Sequence, residues 1–124
     1  IAACLKPGGR FVAEFGGSRN VDAIVRAVRA ADPSWTNPWF YPTIGDYAAI
    51  LESNGFELRQ ALLFDRPTPL TGDDGMLDWL KMFIPSLSED AARRAAAILE
   101  STNHTTAGWV ADYRRIRVDA VRRG

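Results

Sequence analysis

Apolar and polar positions change period several times along the chain, and each change marks a new element. Phe11, Ala13 and Phe15 alternate with Arg10, Val12 and Glu14, which predicts a strand over 10–15. Val12 adds an apolar group on the second face, as suits a sheet covered by helices on both sides. Val21, Ile24, Val25 and Val28 then recur at helical spacing, with Asp22, Arg26 and Arg29 turned away. Asn20 is placed to cap that helix and Asp32-Pro33 to end it. In the next helix Thr43 and Asp46 form a capping-box pattern, and Ile44, Tyr47, Ala48 and Leu51 share an apolar face. Asn54-Gly55 ends it.

The alternation returns from Phe56 to Phe64, with Phe56, Leu58, Leu62 and Phe64 on one face of a second strand. Asp65-Arg66-Pro67-Thr68-Pro69-Leu70 leaves it as an extended loop, since each proline disfavours helix at the residue before it. Two helices are expected next. Met76, Leu77, Leu80, Phe83 and Ile84 line the first, and Pro85 stops it. Ser88 caps the second, with Ala91, Ala92, Ala95, Ile98 and Leu99 inward, and Ser101 to Gly108 is a polar connection. Trp109 to Arg123 fits two periods. Trp109, Tyr113, Ile116 and Ala120 would line a helix; Ile116, Val118 and Ala120 also alternate with Arg115, Arg117 and Asp119 as in a strand. β-branched Ile116, Val118 and Val121 favour the strand. Phe11, Phe15, Leu58, Leu62 and Ile116 are the expected core of one mixed sheet.

Composition narrows the function classes. With 124 residues, 47% of them apolar, the chain has the size and makeup of one globular domain. Lys plus Arg equals Asp plus Glu at 15 each, so no global field favours nucleic acid or a membrane surface. No apolar run approaches the roughly 18–20 residues of a membrane span, and nothing reads as a signal peptide. Cys4 is the one cysteine, so no intramolecular disulfide can form, which fits a cytoplasmic setting.

Leu5-Lys6-Pro7-Gly8-Gly9 followed by the strand Phe11–Phe15 resembles the segment entering the fifth strand of class I S-adenosylmethionine (SAM)-dependent methyltransferases. The helix–Gly55-Phe56-Glu57–strand run resembles the entry to that family's sixth strand. Three further stretches are together similar to the trans-aconitate methyltransferase-like group of small-molecule enzymes. These are the pair Gly16-Gly17, the aromatic-proline loop Asn37-Pro38-Trp39-Phe40-Tyr41-Pro42, and Leu63 to Leu70. The resemblance implies an α/β, partial Rossmann-like methyltransferase fold with strands five, seven and six side by side and the last antiparallel. It also implies that residues 1–124 are the C-terminal portion of such a domain. The family's SAM site, a glycine-rich loop after the first strand and an acidic residue ending the second, has no counterpart here. Gly8-Gly9 and Gly16-Gly17 are not a GxGxxG loop opening a helix.

Methyl transfer from a sulfonium is mostly a matter of alignment and water exclusion, so neither a catalytic triad nor a metal is expected. Ligands of open α/β sheets bind beyond the carboxyl ends of strands, which makes Glu14, Phe15, Gly16 and Gly17 substrate candidates. A rim carboxylate beside a plain turn is the competing reading. Trp39 and Tyr41 are candidates for an aromatic wall, against simple packing of a stiff loop. Arg66 is a candidate for gripping a substrate carboxylate, against a pairing with Asp65 or solvent. His104 reads as a solvated loop residue, Cys4 as a small buried one and Trp79 as core.

The expected function is methyl transfer from SAM to a small molecule, carboxylate-bearing if Arg66 holds it, with the chain alone lacking the cofactor site. The alternative is a non-catalytic half-domain that self-associates or pairs with a partner chain. The edge of strand 10–15, flanked by Phe11, Val12 and Phe15, points to a homodimer or to pairing with an N-terminal half. Nucleic-acid contact through Arg114, Arg115, Arg117, Arg122 and Arg123 is disfavoured by strand parity, which scatters them over two faces.

Overall fold

The computed structural model describes residues 1–124. After a 3-10 turn at Ala2–Cys4 come β1 (Arg10–Gly16), α1 (Asp22–Ala31), α2 (Ile44–Ser53) and β2 (Phe56–Pro69). They are followed by α3 (Gly75–Phe83), α4 (Glu89–Asn103), β3 (His104–Thr105) and β4 (Gly108–Arg122). The residues group into two compact units. Ile1–Asn20, Phe40–Asp65 and Arg114–Gly124 make the first; Val21–Trp39 and Arg66–Tyr113 make the second.

The sheet has the order β1-β4-β2, with β3 pairing β4. β4 is antiparallel to β1, from Arg10 opposite Val121 to Gly16 opposite Arg115. This is the five-seven-six order with a reversed last strand, and the helical alternative for 109–123 is excluded. The turn into β1 has a physical cause. Gly9 N–H donates to the Lys6 carbonyl at 2.8 Å, and Gly8 sits at φ +83°, so Pro7 and Gly8 occupy the central positions where proline and glycine are preferred.

The core of the first unit is Leu51, Phe56, Ile116, Val118 and Ala120, with Phe11, Phe15, Tyr47, Leu58, Ala61 and Leu63 packed against it. Leu62 is not in it. It is 53% exposed, and the inward positions of β2 pass from Phe56 and Leu58 to Ala61 and Leu63. Arg59 and Gln60 are both exposed between them. One extra residue in the strand shifts the parity in this way, and the simple alternation of Phe56, Leu58, Leu62 and Phe64 misses it. Val12 is also exposed, at 58%, so the unit packs one face of β1 and leaves the other lined with charge pairs. On that face Arg10 binds Asp119 at 2.5 Å and Arg117 binds Glu14 at 2.8 Å. β2 continues to Pro69, so the expected loop at 65–70 is largely strand. Cys4 is exposed rather than buried, because the short N-terminal turn covers none of its own residues.

In the second unit α4 packs against α1 and α3. Ile24, Val28, Met76, Leu80, Ala95 and Leu99 are its buried centre, whereas Ile98 and Phe83 stay about half exposed. Trp79 is buried, as expected of a core residue. Ser88 caps α4 by accepting from Ala91 N–H at 3.1 Å. The cap of α1 differs from expectation. The N-cap is Val21, in the left-handed region at φ +48° and without a side-chain bond. Ala23 N–H instead donates to Asp112 Oδ2 at 2.8 Å, an acceptor 89 residues away. Of the expected polar connection at 101–108, residues 101–103 continue α4, and the rest is a hairpin in which His104 and Thr105 pair with Trp109 and Gly108. His104 is therefore no loose loop residue: its ring stacks on Trp109 at 4.2 Å, and Nδ1 lies 2.5 Å from Glu100.

Candidate functional site

The carboxyl end of β1 places four candidates on two faces of the sheet. Phe15 points into the core, meeting Tyr47 edge-on at 4.8 Å between ring centres. Burial raises the Tyr47 hydroxyl pKa above its usual value. Glu14 lies on the open face. Its Oε1 accepts Nε and Nη2 of Arg117 at 3.1 and 2.8 Å, and Arg115 Nε stands 3.8 Å from Oε2. Arg117 also lies over the Phe64 ring, 5.5 Å from its centre. One carboxylate is thus flanked by two guanidinium groups, and the end of the strand keeps a net positive charge. This cluster depends on the register, which sets Arg117 opposite Glu14 and Arg115 opposite Gly16.

Gly16 and Gly17 are small for reasons of packing. A Cβ on Gly16 would stand 2.7 and 2.8 Å from carbons of the Tyr41 ring and 3.0 Å from Asn20 Nδ2. A Cβ on Gly17 would stand 2.5 Å from Leu63 Cδ1 and 3.1 Å from Ile116 Cβ. Asn20 is buried, and its Oδ1 accepts Arg114 N–H at 2.6 Å, which ties the residues after β1 to β4. Arg114 Nε is 3.0 Å from Asp65 Oδ1, an ion pair whose angle makes no hydrogen bond. Glu14, Gly16, Gly17 and Tyr41 are therefore gathered in the first unit.

Trp39 and Arg66 belong to the second unit. Trp39 meets Trp35 at 6.0 Å and Trp79 at 6.1 Å, both edge to face. The Arg66 carbonyl accepts the Thr68 hydroxyl at 2.9 Å. Residues that pattern reading passed over are Arg115 and Arg117, whose meeting with Glu14 needs the register, and Asp32, Ser34 and Phe83, which join Trp35 and Trp39 around one cavity.

No family model matches the chain. Among curated proteins it is 28% identical, over an alignment of 134 residues, to the uncharacterized methyltransferase C70.08c of Schizosaccharomyces pombe. That match covers 94% of this chain and 51% of the yeast protein. Among solved structures, a candidate methyltransferase from Bacillus halodurans C-125 superposes with a TM-score of 0.58 at 17% identity. The superposition covers 99% of this chain and 55% of the bacterial one. The fold is thus a methyltransferase fold, and the chain spans about half the length of the curated relative it matches.

Proposed function

We propose that this chain is the C-terminal portion of a class I SAM-dependent methyltransferase domain acting on a small, carboxylate-bearing molecule, of the trans-aconitate methyltransferase-like kind. The observation that carries the reading is the β1-β4-β2 order with β4 reversed, entered through the Lys6–Gly9 turn. Sequence similarity to a methyltransferase supports the same chemistry. SAM supplies a methyl group already activated on sulfur, so the protein's work is to bind and orient the acceptor.

These residues do not fit a cofactor cradle. The space that glycine opens at Gly16 is filled by Tyr41 and Asn20, and that at Gly17 by Leu63 and Ile116. The free N–H at Ala23, in the first turn of α1, is taken by Asp112. The reading therefore puts SAM on other residues and the acceptor near β1. Arg115 and Arg117 outnumber Glu14 there, and they favour an acceptor carrying a carboxylate. Tyr41, in the same unit, remains the proposed acceptor contact outside the strand.

Calorimetric titration of SAM tests the reading. The 124-residue chain should show no saturable binding at micromolar concentrations, and the chain joined to an N-terminal class I half-domain should bind. Tight binding by the 124 residues alone would relocate the cofactor site, and no binding by either would overturn the methyltransferase reading.

A further inference from the structure

The Asp32–Trp39 loop and residues 83–86 at the end of α3 line an open cavity of about 510 Å³, within the size range of small-ligand sites. Three of its lining residues, Trp35, Trp39 and Phe83, are aromatic. Trp35 and Trp39 meet at 67°, so they form a corner with two ring surfaces rather than a stacked slab. Trp39 is backed by Trp79 at 72°, and Trp79 by Phe83 at 4.8 Å. Trp79 is fixed in turn by donating its indole N–H to the Tyr113 hydroxyl at 2.8 Å.

Asp32 is the single ionisable residue of the lining. Its Oδ1 accepts both the backbone N–H and the hydroxyl of Ser34, at 3.1 and 2.6 Å. Oδ2 receives no hydrogen bond from the chain, which leaves one carboxylate oxygen for a ligand. Arg94 donates to the Ala31 carbonyl next door, but its ion pair is with Asp90.

We propose that this cavity binds an organic cation of the alkylated ammonium class. The negative faces of the indoles and the Asp32 carboxylate attract positive charge and repel an anion. A bulky, weakly hydrated cation suits aromatic walls, whereas a small metal ion needs several oxygen ligands and finds one carboxylate here. The inference does not rest on the methyl-transfer reading, because the binding is measured without SAM.

Choline and its uncharged isostere 3,3-dimethylbutan-1-ol are suitable probes, titrated by calorimetry and tryptophan fluorescence. Choline should bind at least about tenfold more tightly, the scale of a desolvated cation–π contact. Asp32→Asn keeps the Oδ1 acceptor for Ser34 and should weaken choline about fivefold or more while leaving the alcohol unchanged. Trp39→Leu should abolish choline binding. Trp35→Leu, at a half-exposed position with no role in holding Trp79, should weaken it even if Trp39→Leu does not fold. Equal affinity for the two probes, no choline binding at millimolar concentration, or indifference to Asp32→Asn would overturn the proposal.

Discussion

Tyr47 gives a pH-dependent readout for a single side chain. Burial raises its pKa above the ordinary tyrosine value, so the folded state holds the phenol proton more tightly than the unfolded chain. The stability from this difference is complete below pH ~10 and is lost as pH rises through the raised folded value. Absorbance titration compared between the protein and Tyr47→Phe should place the ionisation of Tyr47 above the ordinary tyrosine value, and Tyr47→Phe should flatten the alkaline decline of the unfolding midpoint. The parity change in β2 is tested as directly. Leu62→Ala should stay within about 0.5 kcal/mol, as exposed positions do, whereas Ile116→Ala should cost ~2–5 kcal/mol. Gly17→Ala should cost about 1–3 kcal/mol by overpacking, since the added methyl meets Leu63 and Ile116. Chemical denaturation of the three variants measures all of this. An unfolding curve for Leu62→Ala shifted as far as that of Ile116→Ala would contradict the placement.

At the scale of elements, α1 depends on a residue far away in sequence. Asp112 Oδ2 accepts Ala23 N–H, and Oδ1 accepts the Asn103 side-chain amide at 3.3 Å. Asn103 is buried and also donates to the Val110 carbonyl, so one carboxylate serves both a helix start and the end of α4. Asp112→Ala leaves two donors without an acceptor and should destabilise by roughly 1–3 kcal/mol. Asn20→Ala, at the position where a local cap would be read, should leave α1 intact and loosen the residues after β1 instead. Amide hydrogen exchange distinguishes the two. Faster exchange at Ala23 in the Asn20 variant, with no change in the Asp112 variant, would refute the assignment.

For the whole molecule the decisive feature is the open edge of β1. The strand pairs on one side only, with β4. Gly17 N–H donates to the Arg114 carbonyl, and the Gly9 carbonyl accepts Arg122 N–H. Odd positions therefore face β4, and the N–H of Val12 points to the open edge. Arg10 and Glu14 are spent on pairs with Asp119 and Arg117, which weakens the charge that would discourage pairing. Self-association through this edge is the expected outcome, read as a dimer or larger species by sedimentation. Val12→Pro removes an outward donor without breaking the β1–β4 ladder and should weaken it. A monomer at high concentration that is indifferent to the substitution would rule the edge out.

What the sequence determines by itself is local. The strand at 10–15, the caps at Thr43 and Ser88, the glycine stop at Gly55 and the helix face of α1 follow from period and cap chemistry, which act within a few residues. The resemblance carried by Leu5–Gly9 extended this to strand order and to the reversed last strand. Long-range pairing decided the rest. The extra residue near Arg59 moved Leu62 outward, Asp112 displaced Asn20 as the partner of α1, and the 104–109 hairpin ordered His104. Glu14 was legible as a candidate, but its two arginines were not, because only the register of β1 on β4 brings them together. Trp39 was visible within the aromatic-proline loop, whereas the corner it forms with Trp35 was not. Its carboxylate and the Phe83 wall come from separate segments, and packing alone brings such groups around one cavity.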